Sequence, residues 1–154
     1  MSIQFALQRE LDRRGHRFIL PNVLVDWGEA DMLSITQAGY MHEWEIKVRR
    51  DDFYADFKKN KHMWLEGPMA QEPGGRCTAS SLWYVMPEGL VPQLDVPDYA
   101  GLVFMIGRYG VSIMRNAPKL HQRKVGEYQM SWLLRIAAIK LWSVKRELRN
   151  AKSD

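Results

Sequence analysis

Apolar and polar residues recur at distinct periods along the chain, and these periods predict a series of helices and strands. Ile3, Leu7 and Leu11 lie at i, i+4 and i+8, which predicts a helix over 2–14. Ser2 is its predicted N-cap, and Gly15 ends it. Three apolar segments and a second amphipathic stretch follow. The three segments predict an antiparallel meander over 17–27, 30–36 and 41–48, with its first strand interrupted at Pro21-Asn22. The amphipathic stretch predicts a helix that Asp51 or Asp52 caps and that runs to about Glu66.

The second half of the chain begins with a segment rich in glycine and proline, 67–80, which predicts a mobile loop. A strand over 82–86, a hairpin of 102–106 and 111–114, and a helix over about 126–150 follow. The predicted buried stripe of that last helix comprises Trp132, Leu133, Ile136 and Ile139. Together these elements predict one α/β domain with a mixed sheet over residues 1–154.

The third predicted strand carries charged residues on one of its faces. Because side chains alternate along a strand, His42, Trp44 and Ile46 share one face, and Glu43, Glu45 and Lys47 share the other. Burying that second face is costly unless a partner such as a metal ion compensates its charge.

A second carboxylate lies on the neighbouring predicted strand, where Asp31 heads the apolar segment. Two adjacent strands can bring Asp31 and Glu45 to the same cation. Two carboxylates, a backbone carbonyl and waters are ligands that suit magnesium. The sequence therefore predicts a metal site across these strands.

Composition narrows the classes of protein. Lys and Arg total 22 against 18 acids, giving a net charge of +4 that is compatible with a nucleic-acid partner. The single cysteine excludes an intrachain disulfide, and the four histidines lack metal-ligand spacing. Without an apolar run of ~20 residues or a signal peptide, we expect a cytoplasmic protein with no membrane partner.

The spacing of the charged residues resembles a known family. Asp31, thirteen intervening residues, and then Glu45-x-Lys47 resemble the D…(D/E)-x-K signature of the PD-(D/E)XK nuclease superfamily. The resemblance implies a restriction-endonuclease-like α-β-β-β-α-β core and metal-dependent phosphodiester hydrolysis. It also implies a Mg2+ or Mn2+ ion held by Asp31, Glu45 and the Ile46 carbonyl. Lys47 would then orient the attacking water or neutralise charge on the phosphate.

Glu10 on the first helix is a further candidate ligand by the same resemblance, because a first-helix Glu joins the metal site in several branches of the superfamily. The alternative, which stays open, is an ion pair of Glu10 with Arg13 or Arg14 on the helix surface.

The segment after the signature resembles one branch of the superfamily, the MmcB-like DNA repair proteins and their phage counterparts. Residues 49–61 fit that branch's approximate pattern D-(F/W)-x-x-D-x-K, and residues 83–89, 100–102 and 115–118 resemble its later strands and turns. The similarity covers about residues 10–120. Relatives often carry Ser after the lysine, whereas this chain has Val48-Arg49-Arg50.

Basic residues after the signature are the candidate contacts to the nucleic-acid backbone. They are Arg49, Arg50, Lys58, Lys59 and Lys61. The alternative is a solvated helix face on which the lysines accompany Asp52 and Asp56.

These features predict a metal-dependent nuclease that acts on DNA, including single-stranded or branched DNA, in repair, recombination or phage DNA metabolism. One alternative is a nucleic-acid-binding module on the same fold without turnover. Another is a protein-interaction module, with Trp132 and Trp142 in a homodimer or partner interface.

Overall fold

The computed structural model describes residues 3–25, 28–59, 61–62, 79–107 and 110–152. Its elements follow the predicted order α-β-β-β-α-β, with a hairpin and a long helix added after that core. Their bounds are α1 Ile3–Arg13, β1 Phe18–Val25, β2 Gly28–Ile35, β3 Met41–Ile46, α2 Arg50–Asp56, β4 Ser81–Pro87, β5 Ala100–Ile106, β6 Gly110–Arg115 and α3 Glu127–Asn150. A short 3₁₀ helix, Gln93–Asp95, lies between β4 and β5.

All six strands form one mixed sheet in the order β1-β2-β3-β4-β5-β6. β1, β2 and β3 are the predicted antiparallel meander. β4 joins parallel to β3, β5 joins parallel to β4, and β6 closes the sheet as an antiparallel hairpin with β5. The predicted α/β fold class is therefore confirmed.

The two faces of the sheet bury different sets of side chains. On one face, Leu7 and Leu11 of α1 pack with Trp44 of β3 and the strand residues around it. On the other, Phe53 of α2 packs with Tyr84 of β4 and its neighbours. Alternation along β3 thus sends Trp44 into the first core, and it turns Glu43 and Glu45 toward the side on which α2 lies.

The first helix ends as its sequence predicts. Gly15 has a φ of +81°, which glycine adopts without the steric cost of a Cβ. The His16 N–H donates to the Leu11 carbonyl at 3.0 Å, the bond of a Schellman C-cap. The predicted cap residue at the other end, Ser2, lies outside the described residues.

The second helix is shorter than predicted. It ends at Asp56 rather than near Glu66, and the residue before its first turn is Arg49 rather than Asp51 or Asp52. The Lys58 and Lys59 N–H groups bond to carbonyls three residues earlier, a tighter pattern than that of an α-helix. Residues 63–66 and most of the predicted loop, 67–78, lie outside the described residues.

The chain divides into two compact units, 1–124 and 125–154. The second unit is α3 with short flanks, and one helix has no interior of its own, so it is not a second domain in the usual sense. Its predicted buried stripe is partly wrong: Leu133 is buried, but Ile139 is 54% exposed. None of the described helices is long and apolar enough to cross a membrane.

Gly101 allows β5 to pass close to Trp83 of β4. A Cβ at position 101 would lie 2.4 Å from Trp83 Cε3 and 2.8 Å from the Ala117 nitrogen. We expect Gly101→Ala to lower the free energy of unfolding by about 1–3 kcal/mol, the usual cost of overpacking. Denaturant unfolding of Gly101→Ala in the parent and in a Trp83→Leu background measures the coupling. An equal cost in both backgrounds would refute the clash with Trp83 as the cause.

Candidate functional site

The charged face of β3 is buried, as the predicted alternation requires. Glu43, Glu45 and Lys47 are 2%, 1% and 6% exposed. Lys47 follows the last residue of the strand, and its N–H donates to the Val85 carbonyl at 2.9 Å, which continues the pairing of β3 with β4. The sheet therefore fixes the backbone from which these side chains project.

Two lysines neutralise the carboxylates of this face. Lys47 Nζ donates to Glu45 Oε2 at 2.8 Å and to Asp56 Oδ1 at 3.0 Å. Lys61 Nζ donates to Glu45 Oε1 at 2.7 Å and to Glu43 Oε1 at 3.1 Å. Both carboxylate oxygens of Glu45 therefore accept hydrogen bonds from ammonium groups.

Asp56, the last residue of α2, receives the largest number of polar contacts. Its Oδ1 also lies 2.6 Å from Lys59 Nζ. Its Oδ2 accepts from the Tyr84 hydroxyl at 2.8 Å and lies 3.1 Å from His62 Nε2. Since a carboxylate only accepts, a neutral His62 carries its proton on Nε2.

That tautomer leaves His62 Nδ1 to accept from the Tyr99 hydroxyl, which lies 2.7 Å away. The whole group is called the buried cluster below. It comprises Glu43, Glu45, Lys47, Asp56, Lys59, Lys61, His62, Tyr84 and Tyr99.

Burial and nearby charges shift the pKa values of the two glutamates of the cluster in opposite directions. Burial would raise the pKa of Glu45, but the ammonium groups of Lys61 and Lys47 hold it below its ordinary value. Burial dominates at Glu43 and raises its pKa, because Lys61 compensates it only in part and the charge of Glu45 adds to the effect. Glu43 is therefore the carboxyl more disposed to hold a proton.

At Asp56 and at Lys47, the ion pairs affect the pKa more than burial does. Although burial opposes ionisation, hydrogen bonds from His62 and Lys59 and nearby ammonium charges hold the pKa of Asp56 well below its ordinary value. Burial also opposes the charge of Lys47, yet Glu45 and Asp56 raise its pKa above the ordinary range. Lys47 is thus a fixed cation at neutral pH.

Asp31 lies beside the cluster, within β2 rather than at its first residue. Its Oδ2 accepts the Ile46 N–H at 2.7 Å, which ties it to the residue between Glu45 and Lys47. Burial raises the pKa of Asp31; the Ile46 N–H counteracts this, and the negative charge of Glu45 adds to it. The structure therefore brings Asp31, Glu45 and Lys47 together, as the signature requires.

Lysines supply compensating charge on the buried face of β3. A hard divalent cation nevertheless suits the chemistry of the donors, because Asp31 and Glu45 are neighbouring carboxylates and the Ile46 carbonyl belongs to the residue between the signature groups. The described residues contain no group of three His, Cys, Asp or Glu side chains arranged for a metal. Waters would have to complete the coordination of an ion held there.

Glu10 forms the surface ion pairs that the sequence leaves open as the alternative. Its carboxylate accepts from Arg13 and from Arg14, each at 2.6 Å. The hydrogen bond from Arg13 lowers the pKa of Glu10 to about 2, with Arg14 contributing. Within the described residues, Glu10 has no hydrogen bond or ion pair with Asp31 or the buried cluster.

The predicted nucleic-acid contacts fall into two groups. Arg49, Arg50 and Lys58 are exposed, and so is Lys59, whose ammonium group pairs with Asp56. Lys61, in contrast, is 2% exposed and bonded to Glu43 and Glu45. The prediction that Lys61 contacts phosphate is therefore wrong. Its ammonium group is enclosed by the carboxylates.

Sequence reasoning misses several members of the cluster. Helical period assigns Asp56 to a solvated face, but it is 1% exposed because the helix ends there and its carboxylate receives Lys47, Tyr84 and His62. The fit to D-(F/W)-x-x-D-x-K is the signal that singles Asp56 out. No motif points to His62 or Tyr84, which the fold brings to Asp56, or to Tyr99, which it brings to His62.

The other face of the sheet holds two further histidines in polar contacts. His16 Nδ1 lies 2.8 Å from Ser34 Oγ, and His42 Nδ1 accepts from Trp83 Nε1 at 3.1 Å. Burial lowers the pKa of His42 to about 4, with the charges of His16 and Lys119 contributing. Burial thus favours a neutral His42 in the core around Trp44 and Trp83.

Comparison with known proteins supports the fold. No protein-family model matches the sequence, and no curated protein does either. Among solved structures, the chain is similar to a protein of unknown function from Silicibacter pomeroyi, with a TM-score of 0.66 and 20% identity. The match covers 97% of this chain and 90% of that one, so the architecture extends over nearly the full length of both.

Removing the Asp56 charge should destabilise the fold. Asp56→Asn leaves Lys47, Lys59 and Lys61 short of a buried anion, and we expect a loss of about 3–5 kcal/mol in the free energy of unfolding near pH 7. Since the pKa of Asp56 is lower in the native than in the unfolded chain, its contribution is present above about pH 4 and declines in acid. The deficit of Asp56→Asn should therefore narrow as the pH falls below about 4.

Asp52→Asn is the matched control, because Asp52 is on the same helix but is exposed. We expect its free energy of unfolding to change by less than about 0.5 kcal/mol. Urea unfolding of both variants at several pH values checks this. An equal effect of the two substitutions, or a deficit in Asp56→Asn that does not vary with pH, would count against the buried pairing.

Proposed function

We propose that this protein is a metal-dependent nuclease of the PD-(D/E)XK type that hydrolyses phosphodiester bonds in DNA, with a cytoplasmic site of action. The observation that supports it most is the convergence of the signature groups. Asp31 Oδ2 accepts the N–H of Ile46, the residue between Glu45 and Lys47, and Lys47 Nζ donates to Glu45, so the signature residues are neighbours on adjacent strands. The α-β-β-β-α-β order around them agrees with what the resemblance implies.

Lys47 is the residue we expect to act on the phosphate. Its ammonium charge is secured by Glu45 and Asp56, which raise its pKa despite burial. Because Lys47 is only 6% exposed, a phosphate oxygen can reach its ammonium group only by direct contact with the protein surface at this point. A fixed cation at that position stabilises the negative charge that develops as the phosphodiester bond is attacked.

Mg2+ or Mn2+, when bound, would polarise the scissile phosphate and lower the pKa of a water ligand. Asp31, Glu45 and the Ile46 carbonyl are the groups we expect to hold it. Asp31 is the more available of the two carboxylates, because both oxygens of Glu45 already accept from Lys47 and Lys61. Glu10 remains a ligand only by resemblance, and its bonds to Arg13 and Arg14 weigh against that role.

A second candidate function is a DNA-binding or protein-interaction module on the same fold without turnover. The closed charge network favours it: three lysines face the three carboxylates of the cluster, so its charge is balanced without a metal. In addition, every buried side-chain nitrogen and oxygen in the described part of the chain has a hydrogen-bond partner. A nuclease assay decides between the two.

The assay uses single-stranded, duplex and branched DNA with magnesium or manganese. On the nuclease hypothesis, Lys47→Gln should cut ~100-fold more slowly or worse, because it loses a charge that stabilises the transition state. Asp31→Asn should lose both cleavage and manganese affinity, the latter followed by calorimetric titration. Lys152→Gln, an exposed lysine outside the proposed DNA path, is the control and should retain the rate.

No cleavage by the parent chain on any substrate would favour the module without turnover. Parental cleavage rates in folded Lys47→Gln and Asp31→Asn chains would remove these residues from the mechanism. Thermal unfolding of each variant shows whether a lost rate reflects lost folding instead.

The exposed basic residues after β3 should bind the DNA backbone both in a nuclease and in a DNA-binding module without turnover. We expect the triple substitution of Arg49, Arg50 and Lys58 by Gln to weaken binding of all DNA sequences. It should also lower the salt slope by about one unit for each phosphate that is no longer neutralised. Fluorescence anisotropy at several salt concentrations measures both. Lys119→Gln with Lys124→Gln is the control pair, and a larger effect there would move the DNA path to that surface.

A further inference from the structure

Helix α3 exposes large apolar side chains along much of its length. Leu134, Leu141, Val144 and Leu148 are 54%, 58%, 50% and 58% exposed. Exposed leucines are common singly, but a contiguous row of them on one helix indicates a binding surface. The row runs to within two residues of the last residue of the helix, Asn150.

The spacing of these residues is that of a coiled coil. Leu134, Leu141 and Leu148 lie seven residues apart, at the a positions of a heptad repeat. Ala137 and Val144 then fall at the d positions, and Ala151, the C-cap residue just after the helix, occupies the next one. This stripe, called the heptad stripe below, suits a second helix of the same period.

Side-chain size and charge favour a second copy of this helix in antiparallel orientation. Pairing Leu141 with the second copy's Val144 sets Leu148 against Ala137 and Leu134 against Ala151, so each layer joins a larger residue to a smaller one. The same register sets Lys140 against Glu147 at the g positions, twice by symmetry.

A parallel pair lacks this complementarity. It would set Lys140 against Lys145 of the second copy, a like-charge contact, and would stack Ala137 on Ala137. Neither Lys140 nor Glu147 has a side-chain ion pair within the described residues. Both charges are therefore available to a partner helix.

We propose that the heptad stripe is a homodimer interface in which α3 pairs with α3 of a second copy, antiparallel, with reciprocal Lys140–Glu147 ion pairs. The stripe spans little more than two heptads, so the dimer is weak and depends on concentration. This surface is independent of the buried cluster and of the proposed nuclease activity.

Sedimentation equilibrium of the full chain over a wide concentration range tests the proposal. Lys140→Glu places like charges at both of the symmetry-related contacts with Glu147. It should therefore raise the dimer dissociation constant about tenfold. The double reversal Lys140→Glu with Glu147→Lys should restore it. Lys145→Glu is the control, because position 145 faces Ala138 in this register and its substitution should have little effect.

Leu141→Lys should abolish the dimer without loss of helix content by circular dichroism, because Leu141 is exposed in the single chain. A parent chain that stays monomeric at every concentration, including one that binds anionic vesicles through α3, would overturn the proposal. So would a dimer that Lys140→Glu strengthens, as expected of a parallel pair, or one that the double reversal fails to restore.

Discussion

The ion pairs around Glu45 and Asp56 are the interaction on which the rest of this site depends. A buried carboxylate is expensive unless cations and hydrogen bonds compensate it, and here two carboxylates share Lys47 while Lys61 binds the far side of Glu45. Tyr84 and His62 satisfy the remaining oxygen of Asp56. β3, β4 and the end of α2 are thereby held in one arrangement.

Because the site depends on these ion pairs, the fold can be predicted from the sequence but part of the site cannot. The strands and α1 can be predicted because the hydrophobic period and the helix-ending Gly15 are signals that involve only residues close together in the sequence. Asp31, Glu45 and Lys47 are readable because the fixed geometry of two adjacent strands converts their spacing into proximity. Strand geometry therefore locates two members of the cluster, Glu45 and Lys47, and Asp31 beside it, and the family resemblance is what marks the three as a signature.

The remaining members of the cluster come from more distant parts of the chain. Helical period extends α2 past Asp56 and assigns that residue to solvent, but the helix ends where its carboxylate meets Lys47 and Tyr84. Lys61 falls at helical spacing after Phe53 and Phe57, yet the sequence assigns it to a phosphate contact or a solvated face, because a single sequence does not reveal that Glu43 and Glu45 lie opposite it. In both cases an ion pair in the tertiary structure prevails over the local pattern.

The same ion pairs bear on how a metal and this network can coexist. Glu45 has no free oxygen, so a cation that binds it must share it with an ammonium group or displace one. Sharing brings positive charges close together at low dielectric, which is costly. Displacement costs least for the ammonium group that has the best access to water. Lys59 is 43% exposed and 4.0 Å from Glu45, whereas the Lys61 side chain is 3% exposed. Lys59 is therefore the ammonium group that can withdraw to solvent with the least rearrangement. Its withdrawal would reduce the positive charge near Glu45, but both oxygens of Glu45 would stay bonded to Lys47 and Lys61, so a metal ion would still have to share one of them.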